Sequence, residues 1–156
     1  MKEDGRIVIP NELLFDEVAR QITKGFRVKI RAKGNSMLPF IREGKDNIML
    51  EKVRENSFQT GNLLLVHLRD GRYVLHRVMK YDEYQIVLRG DGNLSAVETC
   101  TRDEVIAEAV QVIRSEKVIC KGSLSWNMYR SLWPGSAFLR RVCLGIYHKL
   151  RFLLNS

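Results

Sequence analysis

Apolar side chains recur along this chain with two different periods. The first is helical and covers residues 11–25, where Gly25 can close the helix and the apolar positions lie three or four residues apart, at Leu13, Leu14, Val18 and Ile22. Residues 26–33 then alternate strictly between apolar and basic side chains. This alternation predicts a half-buried strand with one solvated face.

Short apolar runs separated by polar turns dominate the middle of the chain. We predict strands over residues 47–53, 63–68, 73–78 and 84–88. Asp70-Gly71 is a strong hairpin signal between the second and third of these strands. Residues 104–114 fit a helix or a strand, and we favour a strand because their neighbourhood is sheet. The expected fold class is therefore mainly β, with an N-terminal helix and C-terminal helices.

The pattern changes beyond Gly122. We predict a short helix over residues 123–132, stopped at Pro134, and an amphipathic helix over 136–154. The apolar stripe of the second helix comprises Phe138, Leu139, Val142, Cys143, Ile146, Tyr147, Leu150 and Leu154. The expected organisation is an N-terminal helical segment (1–25), a β-domain (26–120) and a basic helical segment (121–156).

Charge is distributed unevenly along the chain. Its length of 156 residues suits one compact domain. The net charge is +8, and no Asp or Glu lies between residues 117 and 156. The basic residues of that stretch are Lys117, Lys121, Arg130, Arg140, Arg141, Lys149 and Arg151. Such a tail fits an anionic partner, either a lipid headgroup surface or nucleic acid. The helix over 136–154 fits packing on the domain, binding of a protein, or peripheral contact with a membrane.

The composition of residues 1–10 and the spacing of the cysteines lead us to expect a cytoplasmic location. Residues 1–10 (MKEDGRIVIP) carry acids and no long apolar run, so we expect no secretory signal. No apolar stretch approaches 18 residues. Cys100, Cys120 and Cys143 have no CxxC spacing, and we expect reduced thiols, most of them buried.

Candidate catalytic chemistry centres on Ser36, in the segment Gly34-Asn35-Ser36-Met37-Leu38-Pro39. A serine on a constrained turn after a strand presents its hydroxyl outward, and adjacent backbone N–H groups can stabilise an oxyanion. A serine hydroxyl requires a base, and His76 lies on a predicted strand. Each residue also has a plain structural interpretation, as a turn serine and a sheet histidine.

A third element, an acid that orients the imidazole, has two candidates. Asp91 lies in the turn Arg89-Gly90-Asp91-Gly92-Asn93, and Glu98 follows it seven residues later. By itself Asp91 is more typical of a turn-forming residue than of a catalytic acid.

Several short sequence boxes, occurring in order, resemble those of one protein family. GNSMLP (34–39) resembles the nucleophile box of type I signal peptidases and of LexA-type self-cleaving repressors. Gly61-Asn62 is similar to the Gly-Asp that opens the next strand of that family. His76-Arg77-Val78 and Gly90-Asp91-Gly92-Asn93 are similar to boxes of the endoplasmic-reticulum and archaeal branch, which uses histidine where other branches use lysine. The likeness extends from Ser36 to about Ile113.

The resemblance implies a signal-peptidase-like β-fold and a serine endopeptidase that cleaves a leader or signal-like segment from a peptide precursor. It implies Ser36 as nucleophile and His76 as base, with Gly34, Asn35, Met37 and Pro39 shaping the oxyanion turn. Arg77, Gly90 and Asn93 would support the site. The substrate would lie extended along a strand edge with small residues beside the scissile bond, and no cofactor or metal is expected.

The sequence also departs from the family pattern. The endoplasmic-reticulum type has an aspartate about six residues after its Gly-Asp box, whereas this chain has Val97 there, beside Glu98. We prefer Glu98 as the triad acid and give Asp91 a supporting role. We expect neither a membrane anchor nor a DNA-binding domain, so a nucleic-acid partner is not favoured. The alternative function is a non-catalytic peptide-binding module or a regulator that keeps the fold. His67 and His76 would share a sheet face if Asp70-Gly71 formed a two-residue turn, but a third metal ligand is lacking.

Overall fold

A computed structural model describes residues 11–154 of the protein. The described part begins with helix α1 (Asn11–Thr23) and ends with helices α2 (Leu124–Leu132) and α3 (Ala137–Leu154). Between them lie eight strands: β1 (Val28–Arg31), β2 (Asp46–Glu51), β3 (Leu63–His67), β4 (Tyr73–Tyr81), β5 (Ile86–Arg89), β6 (Glu98–Cys100), β7 (Val105–Arg114) and β8 (Lys117–Cys120). The mainly β fold class with helices at both ends is confirmed. Residues 1–10, which belong to the predicted N-terminal segment, lie outside the described residues.

The eight strands form one antiparallel sheet in the order β1-β2-β7-β3-β4-β5-β6, with β8 also paired to β7. The ambiguous segment over residues 104–114 is strand β7, as favoured, and it joins β2 to β3 at the centre of the sheet. The strands β6 and β8 were not predicted. Both are short, three and four residues, and their sequences lack a long alternating pattern.

The sheet buries apolar side chains on both faces, which explains the continuous apolar run of β3. Leu63 and Leu65 belong to a core that also contains α1 residues, the segment after Ser36, and Trp126 of α2. Leu64 and Val66 point to the other core, with Val78, Ile86 and Leu88. Ordinary strand alternation therefore divides β3 between two cores.

The hairpin between β3 and β4 is wider than a two-residue turn. Leu68 N–H donates to the Arg72 carbonyl at 2.8 Å, and Gly71 has a φ of +86°. His67 consequently pairs with Tyr73, and Leu64 pairs with His76. A one-residue change of register reverses the faces, so His67 and His76 lie on opposite sides, and the condition on which a shared face depended is not met. His67 instead stacks on Tyr73 with ring centroids 4.2 Å apart.

The three cysteines are free thiols, but only Cys100 is buried. Burial raises the pKa of the Cys100 thiol to about 12. Cys120 is exposed and Cys143 is half-buried, so the prediction that most of the thiols are buried is wrong.

Candidate active site

Ser36 lies on a tight turn between β1 and β2. The turn is anchored by Met37, Phe40 and Ile41, which are buried in the core that also contains the α1 residues. Within it, Leu38 N–H donates to the Asn35 carbonyl at 3.1 Å, and Ile41 N–H donates to the Met37 carbonyl at 2.9 Å. The segment Ser36–Ile41 is therefore held in place, while the side chain of Ser36 itself remains half-exposed.

The remaining predicted residues of this turn shape it without contributing an ionisable side chain. Gly34 has a φ of +82°, a conformation that favours glycine, and its N–H donates to Glu43 at 2.9 Å. Asn35 is exposed, and Pro39 follows a cis peptide bond and is half-buried. The turn thus leaves backbone groups beside Ser36 near the surface.

His76 is held rigidly in the middle of β4. It pairs with Leu64 of β3, and its side chain is only 4% exposed. Its Nδ1 lies 2.8 Å from Oε2 of Glu98, the first residue of β6. Because an ionised carboxylate only accepts hydrogen bonds, Nδ1 donates and the neutral ring keeps the lone pair on Nε2. The imidazole is therefore oriented to accept a proton at Nε2.

Burial is the largest influence on the pKa of His76, and it lowers this pKa below its ordinary value of 6.5. The charge and hydrogen bond of Glu98 act in the opposite direction and favour the protonated ring. Arg72, whose guanidinium lies 3.6 Å from Glu98, lowers the pKa of His76 slightly. His76 therefore stays neutral, and able to act as a base, to a lower pH than an ordinary histidine.

Gly90 brings the serine turn and the histidine together. A Cβ atom added at Gly90 would overlap the backbone carbonyl oxygen of Ser36 and would lie 3.0 Å from Nε2 of His76. The next glycine contributes a second contact, since Gly92 N–H donates to the Ser36 carbonyl at 2.7 Å. The Ser36 backbone and His76 Nε2 therefore flank the same glycine, and the absence of a side chain there permits their approach.

Replacing Gly90 with alanine is expected to lower the free energy of unfolding by about 1–3 kcal/mol, because the added Cβ must displace backbone rather than a flexible side chain. Urea denaturation measures this change. Gly145→Ala is the matched control, since a Cβ at this helical glycine meets nothing within 4 Å, and it should be neutral or slightly stabilising. Equal stability of the two variants would show that the Gly90 contact is loose.

Asp91 does not contact the imidazole. Both of its carboxylate oxygens accept hydrogen bonds from Arg77, at 2.8 Å from Nε and 2.6 Å from Nη2, and its side chain is fully buried. Arg77 also donates to the Gly61 carbonyl at 2.8 Å. Of the two candidate acids, the structure brings Glu98 to His76 and uses Asp91 to fix the Gly90–Asn93 turn on β4.

Two residues of the C-terminal segment also hold this turn, and the sequence analysis missed both contacts. Arg140 of α3 is buried and donates from Nη1 to the carbonyls of Gly90, Asp91 and Asn93 at 3.1–3.2 Å. Trp133 donates from Nε1 to the Asp91 carbonyl at 2.9 Å. No local pattern could have indicated these bonds, because they join residues more than 40 positions apart.

A cavity of about 130 Å³ opens beside Ser36. It is lined by β1 and the start of β4, including Ile30, Ala32, Val74 and Leu75. A larger groove of about 780 Å³ continues along β1 and α1. Within residues 11–154, β1 pairs only with β2, and β4 pairs with β5 only from Arg77 onward. Two unpaired strand edges therefore border the depression that reaches the serine turn.

The described part of the chain contains no group of three or more His, Cys, Asp or Glu side chains able to hold a metal ion. A carboxylate paired with a buried imidazole is an arrangement typical of general acid–base catalysis.

The chain was compared with known proteins. It matches no protein-family model, and no curated protein is similar to it at a significant level.

Proposed function

We propose that this protein is a serine endopeptidase of the signal-peptidase-like type that removes a leader or signal-like segment from a peptide precursor. The observation that carries the proposal is the buried His76, which is bonded through Nδ1 to Glu98 and lies with Nε2 across Gly90 from the backbone of Ser36. The order of sequence boxes from Ser36 to Asn93 supports the same family assignment and fold.

The proposed mechanism uses Ser36, His76 and Glu98. His76 Nε2 accepts the proton of the Ser36 hydroxyl as its oxygen attacks a peptide carbonyl. Glu98 stabilises the imidazolium that forms, and backbone N–H groups of the serine turn stabilise the tetrahedral oxyanion. The imidazolium then gives its proton to the leaving amine, and water, deprotonated by His76, hydrolyses the acyl-enzyme to release Ser36.

The unpaired edges of β1 and β4 support an extended substrate. A peptide lying in the groove could form main-chain hydrogen bonds with a strand edge, as in β-augmentation. The 130 Å³ cavity beside Ser36 has room for a small side chain next to the scissile bond. The proposal keeps the cytoplasmic location expected from the sequence, where three free cysteines would stay reduced.

The deciding experiment is labelling with a serine-directed acylating probe, such as an activated ester that carries a fluorescent acyl group. We expect one acyl group per protein, located at Ser36 by peptide mapping. Labelling should disappear in Ser36→Ala and fall at least about a hundredfold in rate in His76→Ala, because the hydroxyl then lacks its base.

Ser95→Ala serves as the control, because Ser95 is an exposed serine outside the serine turn. Labelling that persists in Ser36→Ala, or that is unaffected by His76→Ala, would contradict the mechanism. Candidate precursors incubated with wild type and Ser36→Ala then test cleavage directly, and equal processing by both would contradict a peptidase while leaving a peptide-binding module.

A further inference from the structure

Helix α3 presents an apolar surface away from the body of the protein. Its packed face carries Arg140, Cys143, Leu144, Tyr147 and Arg151, all buried or half-buried. Its outer face carries a row of exposed apolar side chains three or four residues apart, namely Leu139, Val142, Ile146 and Leu150, at 43–56% exposure. The row continues with Leu153. The predicted stripe is thus divided, and much of it faces solvent.

Exposed cations accompany this row on α3. Lys149 lies next to it, within one helical turn of Ile146 and Leu153, and Arg141 lies farther round the helix. Neither cation forms an ion pair within the part of the chain that the structure describes. No acidic residue lies between positions 117 and 156, so no negative charge in this segment offsets them. An exposed apolar row on a helix with free cations is complementary to a surface that combines negative charge with accessible hydrocarbon.

We propose that the outer face of α3 binds the surface of an anionic lipid bilayer. The apolar row would enter the boundary between headgroups and acyl chains, while Arg141 and Lys149 would contact anionic headgroups. The helix would lie on the bilayer, because no helix among the described residues is long and apolar enough to cross one. A partner protein with an apolar groove is the competing occupant, and the vesicle experiment below distinguishes it from a bilayer.

Arg140 gives this surface a defined relation to the candidate active site. It belongs to the packed face of the same helix, and its guanidinium holds the turn that carries Gly90. Binding through the outer face would therefore leave the packed face and its contacts with the turn undisturbed.

Cosedimentation of the full chain with vesicles tests the proposal without requiring peptidase activity. We expect binding to phosphatidylcholine vesicles that contain about 30% phosphatidylglycerol, weaker binding to pure phosphatidylcholine, and a decrease in binding as salt rises. Ile146→Glu/Leu150→Glu should weaken binding at least tenfold, because it places two anions in the apolar row. Arg141→Gln/Lys149→Gln should weaken it up to about 25-fold, at about fivefold per lost cation near the surface.

Tyr84→Glu is the matched control, since Tyr84 is an exposed apolar residue on the distant β4–β5 turn, and it should bind like wild type. Circular dichroism verifies that each variant is folded. Failure of wild type to bind anionic vesicles, or equal binding by Ile146→Glu/Leu150→Glu, would overturn the proposal. The proposal would also be overturned if wild type failed to bind vesicles but formed a concentration-dependent dimer that Ile146→Glu/Leu150→Glu abolishes. Ser36→Ala should bind vesicles normally, so this outcome is independent of the proposed chemistry.

Discussion

Glu98→Gln is expected to slow acylation of Ser36 by about 10²–10⁴-fold, because the neutral amide no longer stabilises the imidazolium and can bind the wrong tautomer. It should also move the acid limb of the pH profile. Glu98 raises the pKa of His76 through its charge and its hydrogen bond, so its removal lowers that pKa further. The wild-type limb should already fall below pH 6.5, and the limb of the variant should lie lower still. The acylation rate measured between pH 4 and 9 tests both effects.

Arg72→Gln provides a control of opposite sign. Arg72 lowers the pKa of His76 from its position beside Glu98, and its side chain is exposed, so its loss should raise the acid limb slightly and leave the maximal rate nearly unchanged. If Glu98→Gln leaves both the rate and the limb where they are in wild type, Glu98 is merely a structural neighbour of the imidazole. A loss of packing at Glu98 could slow the reaction, but it would not move the acid limbs of the Glu98→Gln and Arg72→Gln pH profiles in opposite directions.

Asp91→Ala should destabilise the protein by about 3–5 kcal/mol, which makes it the largest stability effect that we expect. The substitution leaves the buried Arg77 guanidinium without a counter-charge, and removing one partner of a buried ion pair costs far more than the net contribution of the pair. Urea denaturation of wild type and variant gives the difference in the free energy of unfolding.

The double variant Arg77→Met/Asp91→Leu separates this explanation from simple loss of packing. Removing both charges should restore much of the lost stability, because no uncompensated charge remains. Asp91→Ala alone should also slow Ser36 acylation, since the turn against His76 loses its attachment to β4. A cost below 1 kcal/mol for Asp91→Ala would mean that the pair is solvated in solution.

The sheet could be predicted wherever the apolar pattern was long. The five strands and the helix α1 that begin the chain have clear periods, and β7 was correctly favoured as a strand although its pattern alone was ambiguous. The strands β6 and β8 were missed because their residues and the segments around them show no alternating apolar pattern, and their conformation depends on the neighbouring β5 and β7. The sheet faces of His67 and His76 depend on whether the β3–β4 turn has two or three residues, and the composition of the turn did not determine that length.

The candidate site divides in the same way. The residue types and their order pointed to Ser36 and His76, and the preference for Glu98 rested only on its distance from the Gly-Asp box. The structure adds the hydrogen bond that gives Glu98 its place beside the ring. Glu98 and Asp91 have different partners because Arg77 donates hydrogen bonds to both carboxylate oxygens of Asp91. This contact depends on the three-dimensional fold, and the spacing of the residues in the sequence does not predict it.

The bonds from Arg140 and Trp133 have a practical consequence for anyone who shortens the chain. A fragment ending near residue 120 would retain all eight strands and every residue of the proposed triad. It would nevertheless expose three backbone carbonyls that now accept hydrogen bonds from the C-terminal segment, and it would leave the stretch beside the imidazole free to shift. The smallest fragment that keeps the proposed site intact should therefore extend past residue 140.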